Sequence, residues 1–252
     1  MPSTRRLTQV TAALGLLAGV AVLGGAAGGA VVQGRSIATD SPAQILSITR
    51  AATTNARSFT VDCGGAIPSL GLTGSTVTIV GDVSGYQVTT DHVKGIGLAT
   101  VETRFLGGIA YFKANAVQLQ LQFGVAHSKY ANRWISVAKG QKDYAVISSG
   151  LTMSSAMVEI TPISPLSKSK VENFEGTSVV AVIGKVGPDE YVGAGEQHTF
   201  VAVAAPNRPV GITVSTTDSG HHYQGTCSFK NWKRKYVVTK PATSISITKT
   251  NL

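Results

Sequence analysis

The sequence SFTVDC at residues 58–63 begins a stretch, residues 58–113, in which short runs rich in β-branched residues are separated by glycine-containing turns. Phe59, Val61 and Cys63 alternate there with polar residues, which is the pattern of a strand that buries one face. Similar runs predict further strands at 76–84, 86–94, 98–105 and 109–113. Because these strands follow one another after short turns, they predict an antiparallel meander.

Helical spacing of apolar residues appears on both sides of this meander. Before it, Ser41 and the proline that follows suit the cap and first turn of a helix over 42–56. After it, apolar residues recur with helical period over 116–130, and a second helical stretch covers 141–159, with Thr152 as an internal cap. Helices are therefore predicted at the start and in the middle of the chain.

Strand patterns return in the second half of the chain, again with Gly, Pro, Asn and Asp at the turns. These strands are predicted at 170–173, 178–186, 198–204, 211–217, 223–229 and 236–239. The segment 161–170 before them is the closest candidate for a linker, and a loop that joins two halves of one sheet explains it equally well. The fold class that follows is α+β, a long antiparallel sheet interrupted by helices.

The N-terminus has the order of a secretory signal. Arg5 and Arg6 precede an uncharged apolar run over 10–32, and small residues at Gly28 and Ala30 suit cleavage after Ala30. An uncleaved anchor helix is the alternative, since the run is just long enough to span a bilayer. We therefore expect a protein that is secreted or held in the cell envelope.

This signal divides the chain into a signal peptide at 1–30, a flexible segment at 31–40 and one domain at 41–252. The two cysteines, Cys63 and Cys227, predict a disulfide, because an even count in an exported chain favours pairing. Two buried free thiols are the alternative. No cysteine follows the apolar run to carry a lipid, so a lipid-anchored form is not expected.

The chain is basic, with 22 Lys and Arg against 13 Asp and Glu and a formal net charge of +9. Outside the cytoplasm such a balance favours anionic lipid head groups or an acidic polymer over nucleic acid, although it also serves solubility. A basic cluster with an aromatic residue suggests a membrane-facing patch made of Lys230, Trp232, Lys233, Arg234 and Lys235. A charged turn that blocks edge pairing is the alternative.

Sequence motifs of enzymes are missing. The chain has no nucleophile elbow, no zinc-protease helix, no phosphate-binding loop and no dinucleotide fingerprint. Its five histidines are scattered, and no pair of carboxylates suggests acid–base chemistry. We therefore predict no catalytic residues, no metal site and no cofactor.

Five short motifs occur in a characteristic order: SFTV at 58–61, GGIAYFK at 107–113, YANRWISV at 130–137, PNRPV at 206–210 and GTCSFKNW at 225–232. In this order they resemble the LppX/LprG-type exported proteins of actinobacteria, whose fold is similar in outline to that of the lipoprotein carriers LolA and LolB. The resemblance implies a twisted antiparallel half-barrel with helices packed on its concave face and an apolar cavity that accepts acyl chains. The chain departs from this family in lacking its lipid-bearing cysteine and in carrying the two others.

The leading hypothesis is an exported, non-enzymatic carrier of a lipid or another apolar ligand. Alternation and helical face select its cavity lining: Phe59, Val61, Val77, Ile79, Val101, Tyr111, Leu119, Phe123, Met153 and Met157. One alternative is a structural or signalling envelope domain whose filled groove leaves its surface to bind a protein partner. Another is a hydrolase whose groups meet only in space. The sequence specifies neither the ligand nor the oligomeric state.

Overall fold

A computed structural model describes residues 36–123, 128–141, 143–186, 194–218 and 220–246. These residues form a large, curled antiparallel sheet that carries short helices on its concave face. The predicted fold class, an α+β half-barrel, is confirmed. The predicted signal peptide at 1–30 lies outside the described residues.

Two strand-rich halves supply the sheet. The first half contains β1 (Ser58–Ile67), β2 (Leu72–Gly81), β3 (Gly85–Val93), β4 (Gly97–Leu106), β5 (Ile109–Ala114) and β6 (Ile135–Ala138). The second half contains β7 (Ile163–Lys168), β8 (Glu172–Phe174), β9 (Thr177–Lys185), β10 (Ala194–Ala202), β11 (Pro209–Asp218) and β12 (His221–Lys230), and is followed by the short β13 (Ile245–Ser246).

The strand order is β13-β6-β5-β4-β3-β2-β1-β12-β11-β10-β9-β7, with β8 paired to β9. Each half is thus largely a meander, and the halves join where β1 pairs antiparallel with β12. In this seam Cys63 lies directly opposite Cys227, and the two are bonded with their Cα atoms 4.0 Å apart. The predicted disulfide is therefore confirmed, and it crosses the join between the halves.

The α-helices in the described residues are α1 (Pro42–Thr54), α2 (Ala116–Phe123), α3 (Tyr144–Ser148) and α4 (Met153–Ile160). Both predicted caps are confirmed: Ser41 forms a capping box with Gln44 before α1, and Thr152 forms one with Ser155 before α4. Helix α2 lies between β5 and β6 of the first half, and helices α3 and α4 belong to the connection between the halves. None of the described helices is long and apolar enough to cross a membrane.

Several predicted elements differ from the structure. The helix predicted over 116–130 is α-helical over Ala116–Phe123 and forms a 3-10 turn over Ser128–Tyr130, and residues 124–127 lie outside the described residues. The single helix over 141–159 is interrupted at Gly150, whose φ of +67° is left-handed, and becomes α3 and α4. The predicted loop over 161–170 contains β7, which pairs with β9 despite its low apolar content. The predicted strand over 236–239 forms no strand, because the side chain of Tyr236 is held by Thr60 while Val237 is exposed to solvent.

The N-terminal side of α1 is also packed on the sheet. Ile37 is buried with Ile45 of α1 against Val180 and Val182 of β9. Lys168 of β7 donates hydrogen bonds to the backbone oxygens of residues 38 and 40, at 2.8 and 2.6 Å. Residues 36–40, the end of the segment predicted to be flexible, therefore make defined contacts.

Candidate functional site

The two faces of the sheet are distinguished by strand register. Residues paired across neighbouring strands point to the same face, so Val80 of β2 and Phe229 of β12 lie on the face that carries Phe59 and Val61. Met157 of α4 packs with this group. We call this side, which the helices cover, the concave face, and the other side the convex face.

Two apolar clusters occupy the central part of the concave face. The α4 cluster contains Met153, Ala156, Met157 and Ile160 of the helix, packed on Phe59, Val61, Val80, Ile212, Val214 and Phe229 of the sheet. The α2–α3 cluster contains Leu119, Ile147 and Leu151, packed on Phe105, Ala110, Phe112, Ala114, Ile135 and Val137. The first cluster reaches β2 through Val80 and the second reaches β4 through Phe105, so β3 lies between them in strand order.

The middle part of the concave face of β2 to β4 carries polar residues. We call its residues the polar stripe: Thr76 and Thr78 of β2, Gln87, Thr89 and Asp91 of β3, and Thr103 of β4. The stripe is largely buried. Much of it is internally satisfied, since the Thr76 and Thr89 hydroxyls lie 3.0 Å apart and Gln87 Nε2 donates to Thr78 Oγ1 at 2.9 Å.

Asp91 differs from the rest of the stripe because it carries a carboxylate, with both oxygens buried. Its side chain is fully buried, and neither carboxylate oxygen has a partner in the described part of the chain. Burial raises the pKa of Asp91 to about 7. Burial, together with the nearby charge of Asp91, also raises the pKa of Tyr223 to about 12.

Tyr223 reaches the same region from β12. It packs against both the α4 cluster and the apolar group around Leu72 and Val93. A Cβ atom at Gly225 would collide with its hydroxyl, so the ring lies over that glycine. Sequence reasoning missed both Asp91 and Tyr223. A signal for Asp91 was present, since Asp is depleted from strand interiors.

The structure places six of the ten predicted lining residues on the concave side, divided between the α4 cluster and the α2–α3 cluster. The residues on the concave side are Phe59, Val61, Val101, Leu119, Met153 and Met157. Three others, Val77, Ile79 and Tyr111, lie on the convex face, because their cross-strand partners point there. The side chain of Phe123 lies outside the described residues.

The misplaced lining residues have a physical explanation in β2. Apolar alternation selected Val77 and Ile79 as the buried set, whereas the buried face carries Thr76, Thr78 and Val80. The side chain of Val77 is exposed. Because the polar stripe occupies the inner positions of this strand, hydrophobicity alone indicates the wrong face.

The predicted basic patch is divided by the structure. Trp232 does not extend into solvent, since its ring centroid lies 4.8 Å from that of Phe59 and the Arg208 guanidinium lies 5.2 Å above it. Lys230 forms an ion pair with Asp62 on the convex face. The remaining members, Lys233, Arg234 and Lys235, are exposed. A role in membrane contact therefore stays a prediction for these three.

Within the described ranges, no group of three His, Cys, Asp or Glu side chains is arranged to hold a metal ion. The convex face carries instead a charged cluster in which Glu102 binds Arg104 at 2.8 Å and Lys113 at 2.7 Å. Arg104 also donates to the backbone oxygen of Thr239 at 3.1 Å. This cluster fastens the C-terminal segment to the sheet.

The chain is similar in outline to several solved structures, including the two below. One is LprF from Mycobacterium bovis, at 16% identity over 80% of this chain and 97% of that one, with a TM-score of 0.49. The other is a DUF1329 family protein from Desulfovibrio piger, at 8% identity over 77% of this chain and 92% of that one, with a TM-score of 0.31. No protein-family model and no curated protein sequence matches the chain.

Proposed function

We propose that this protein is an exported, non-enzymatic carrier that binds a lipid or similar apolar molecule between the sheet and the helices. The observation that carries the proposal is the divided character of the concave face, where the α4 cluster and the α2–α3 cluster flank the polar stripe. Apolar walls around a few polar groups are the usual lining of a small-molecule site. An amphiphile combines an apolar chain with a polar head group, and so could contact both the apolar clusters and the polar stripe.

The helices that cover this face favour exchange of a ligand. Helices α2 and α4 have eight residues each and α3 has five. Helices this short depend on tertiary contacts for their stability. A ligand that replaces some of those contacts can therefore enter at modest cost in free energy.

The charge and the signal sequence support a location in or outside the envelope. The excess of Lys and Arg suits an anionic membrane surface, and exposed Lys233, Arg234 and Lys235 are the residues we propose to face it. The net positive charge and the predicted signal sequence suit a protein that transports lipid within the envelope.

A second candidate is an interaction domain whose groove is filled by its own side chains. The observation in its favour is the burial of the lining itself, since Phe59 and Leu119 are almost fully buried by neighbouring groups. Such a domain would bind a protein partner on its outer surface. The two candidates differ in whether the interior takes up a lipid.

Native mass spectrometry of the protein purified from its own host distinguishes them, combined with organic extraction of whatever accompanies it. We expect a lipid in one-to-one ratio with the protein. A ligand-free mass, with no uptake after incubation with a monoacylglycerol, would contradict the carrier and favour the filled groove.

A further inference from the structure

In the described part of the chain, both carboxylate oxygens of Asp91 are buried and lack a hydrogen-bond partner. An unpaired polar group in a protein interior costs about 1–3 kcal/mol, and more when it is charged. In the described residues the ion pairs of the chain involve other carboxylates, and the causes of the raised pKa of Asp91 include no nearby cation. The fold therefore keeps an acceptor at this position at a cost that its own contacts do not offset.

The residues beside Asp91 in the sheet are small. Its neighbours on the adjacent strands are Gly74 and Ala99. The same row continues across the seam through Gly65 and Gly225. This row of small residues lies on the concave face next to the α4 cluster, and Tyr223 covers it at Gly225. Asp91 therefore lies among backbone and small side chains, with Tyr223 nearby.

A second unpartnered acceptor comes from the helix side. The Oε1 atom of Gln118 in α2 is buried and has no hydrogen-bond partner in the described part of the chain. The start of α2 is fixed by Asn115, which accepts from the N–H of Thr100 at 3.3 Å and donates to the oxygen of Leu98 at 2.8 Å. These residues flank Ala99, the cross-strand neighbour of Asp91, so α2 begins above this part of the sheet.

We propose that Asp91 is the anchor for the head group of the ligand, and that Gln118 supplies a second acceptor, so that the site selects a neutral amphiphile with hydroxyl groups. This inference rests on the carrier function proposed above. It follows from the chemistry of the two atoms: both accept hydrogen bonds, and hydroxyl groups donate them. A free fatty acid presents a carboxylate, which an ionised Asp91 repels.

The test compares a monoacylglycerol with the free fatty acid of the same chain length, at about pH 8, where Asp91 is ionised. Binding is measured for the wild type, for Asp91→Asn and for a control, Asp62→Asn. The amide that replaces the carboxylate in Asp91→Asn can donate to a fatty acid, so both the lost charge and the new donor favour that probe. Asp62 forms an ion pair with Lys230 on the convex face, on the opposite side of the sheet from the proposed head-group site.

We expect the wild type to prefer the monoacylglycerol and Asp91→Asn to lower that preference about ten-fold or more, as loss of a charged hydrogen bond would. Asp62→Asn should leave the preference unchanged, and Asp91→Asn should melt no lower than the wild type. If the wild type and Asp91→Asn prefer the monoacylglycerol equally, the proposed role of Asp91 is wrong, while the proposed carrier function still stands. If the wild type binds neither the monoacylglycerol nor the fatty acid, both the carrier function and the role of Asp91 are contradicted.

Discussion

Burial of Asp91 sets a free-energy cost that depends on pH. The pKa of this carboxyl rises from its ordinary value of 3.8 to about 7 on folding. A rise of one in a pKa corresponds to about 1.4 kcal/mol of free energy, so the ionised form lowers stability by up to about 4 kcal/mol. The same residue thus links stability to the proposed site.

Removing this carboxyl should flatten the dependence of stability on pH. Between its two pKa values the folded chain binds one proton more than the unfolded chain, so the free energy of unfolding falls as pH rises from about 4 to about 7. We expect Asp91→Asn to gain stability relative to the wild type, and to gain more at pH 8 than at pH 5. Urea denaturation at both values measures the difference; parallel curves for the two proteins would contradict it.

At the scale of single residues, sequence patterns predicted the helix-capping residues correctly but not which face of a strand is buried. Ser41 and Thr152 were predictable because capping needs a local side-chain oxygen beside free N–H groups. The orientation of Val77 was not, because it depends on which face of β2 the helices cover. Which face the helices cover is decided by tertiary contacts, which the local sequence does not reveal.

Among the elements, α4 is docked on the sheet through backbone contacts. Thr152, its cap, forms a parallel bridge with Gly81 at the end of β2. Leu151 lies directly over Gly85 at the start of β3, where any Cβ atom would collide with its backbone. The glycine at 85 is therefore required for close approach of the connection before α4.

The variant Gly85→Ala should displace this connection and destabilise the protein. Overpacking of this kind costs about 1–3 kcal/mol. Gly64→Ala is the matched control, because its added Cβ would come no nearer than 3.9 Å to another atom. Thermal denaturation should show a clear loss for the first variant and little change for the second. Similar melting of both would contradict the close contact.

Substitutions in helix α4 also test the proposed ligand site. Met157 is buried in the α4 cluster, whereas its neighbour Val158 is 38% exposed. We expect Met157→Trp to fill space between helix and sheet and to reduce monoacylglycerol uptake about ten-fold or more, with Val158→Trp close to the wild type. Equal uptake by both variants, measured by fluorescence displacement, would remove α4 from the site.

On the scale of the whole molecule, the seam between β1 and β12 decides how the two halves combine. Sequence patterns predicted most strands of both halves, because alternation and turn residues are local. The pairing of the first long strand with the last is a contact between distant residues, and only the two cysteines indicated it. Similarly, β7 was missed because its pairing with β9, and not its own composition, makes it a strand.

The disulfide should contribute to stability mainly by restricting the unfolded chain. It closes a loop with a sequence separation of 164 residues. Loop-closure entropy then predicts a loss of about 3–5 kcal/mol in the free energy of unfolding for the double variant Cys63→Ala/Cys227→Ala. Equilibrium denaturation of this variant, beside the wild type with and without reductant, measures the loss.

The reduced wild type should behave like the double variant, because both release the same loop while keeping the strands that pair across the seam. Native circular dichroism before denaturation checks that the sheet persists in both. A loss below about 1 kcal/mol would mean that the unfolded halves remain associated without the bond, since residual structure in the denatured state reduces the entropy that a cross-link removes. The join would then depend on the β1–β12 pairing and the α4 cluster, which spans both halves.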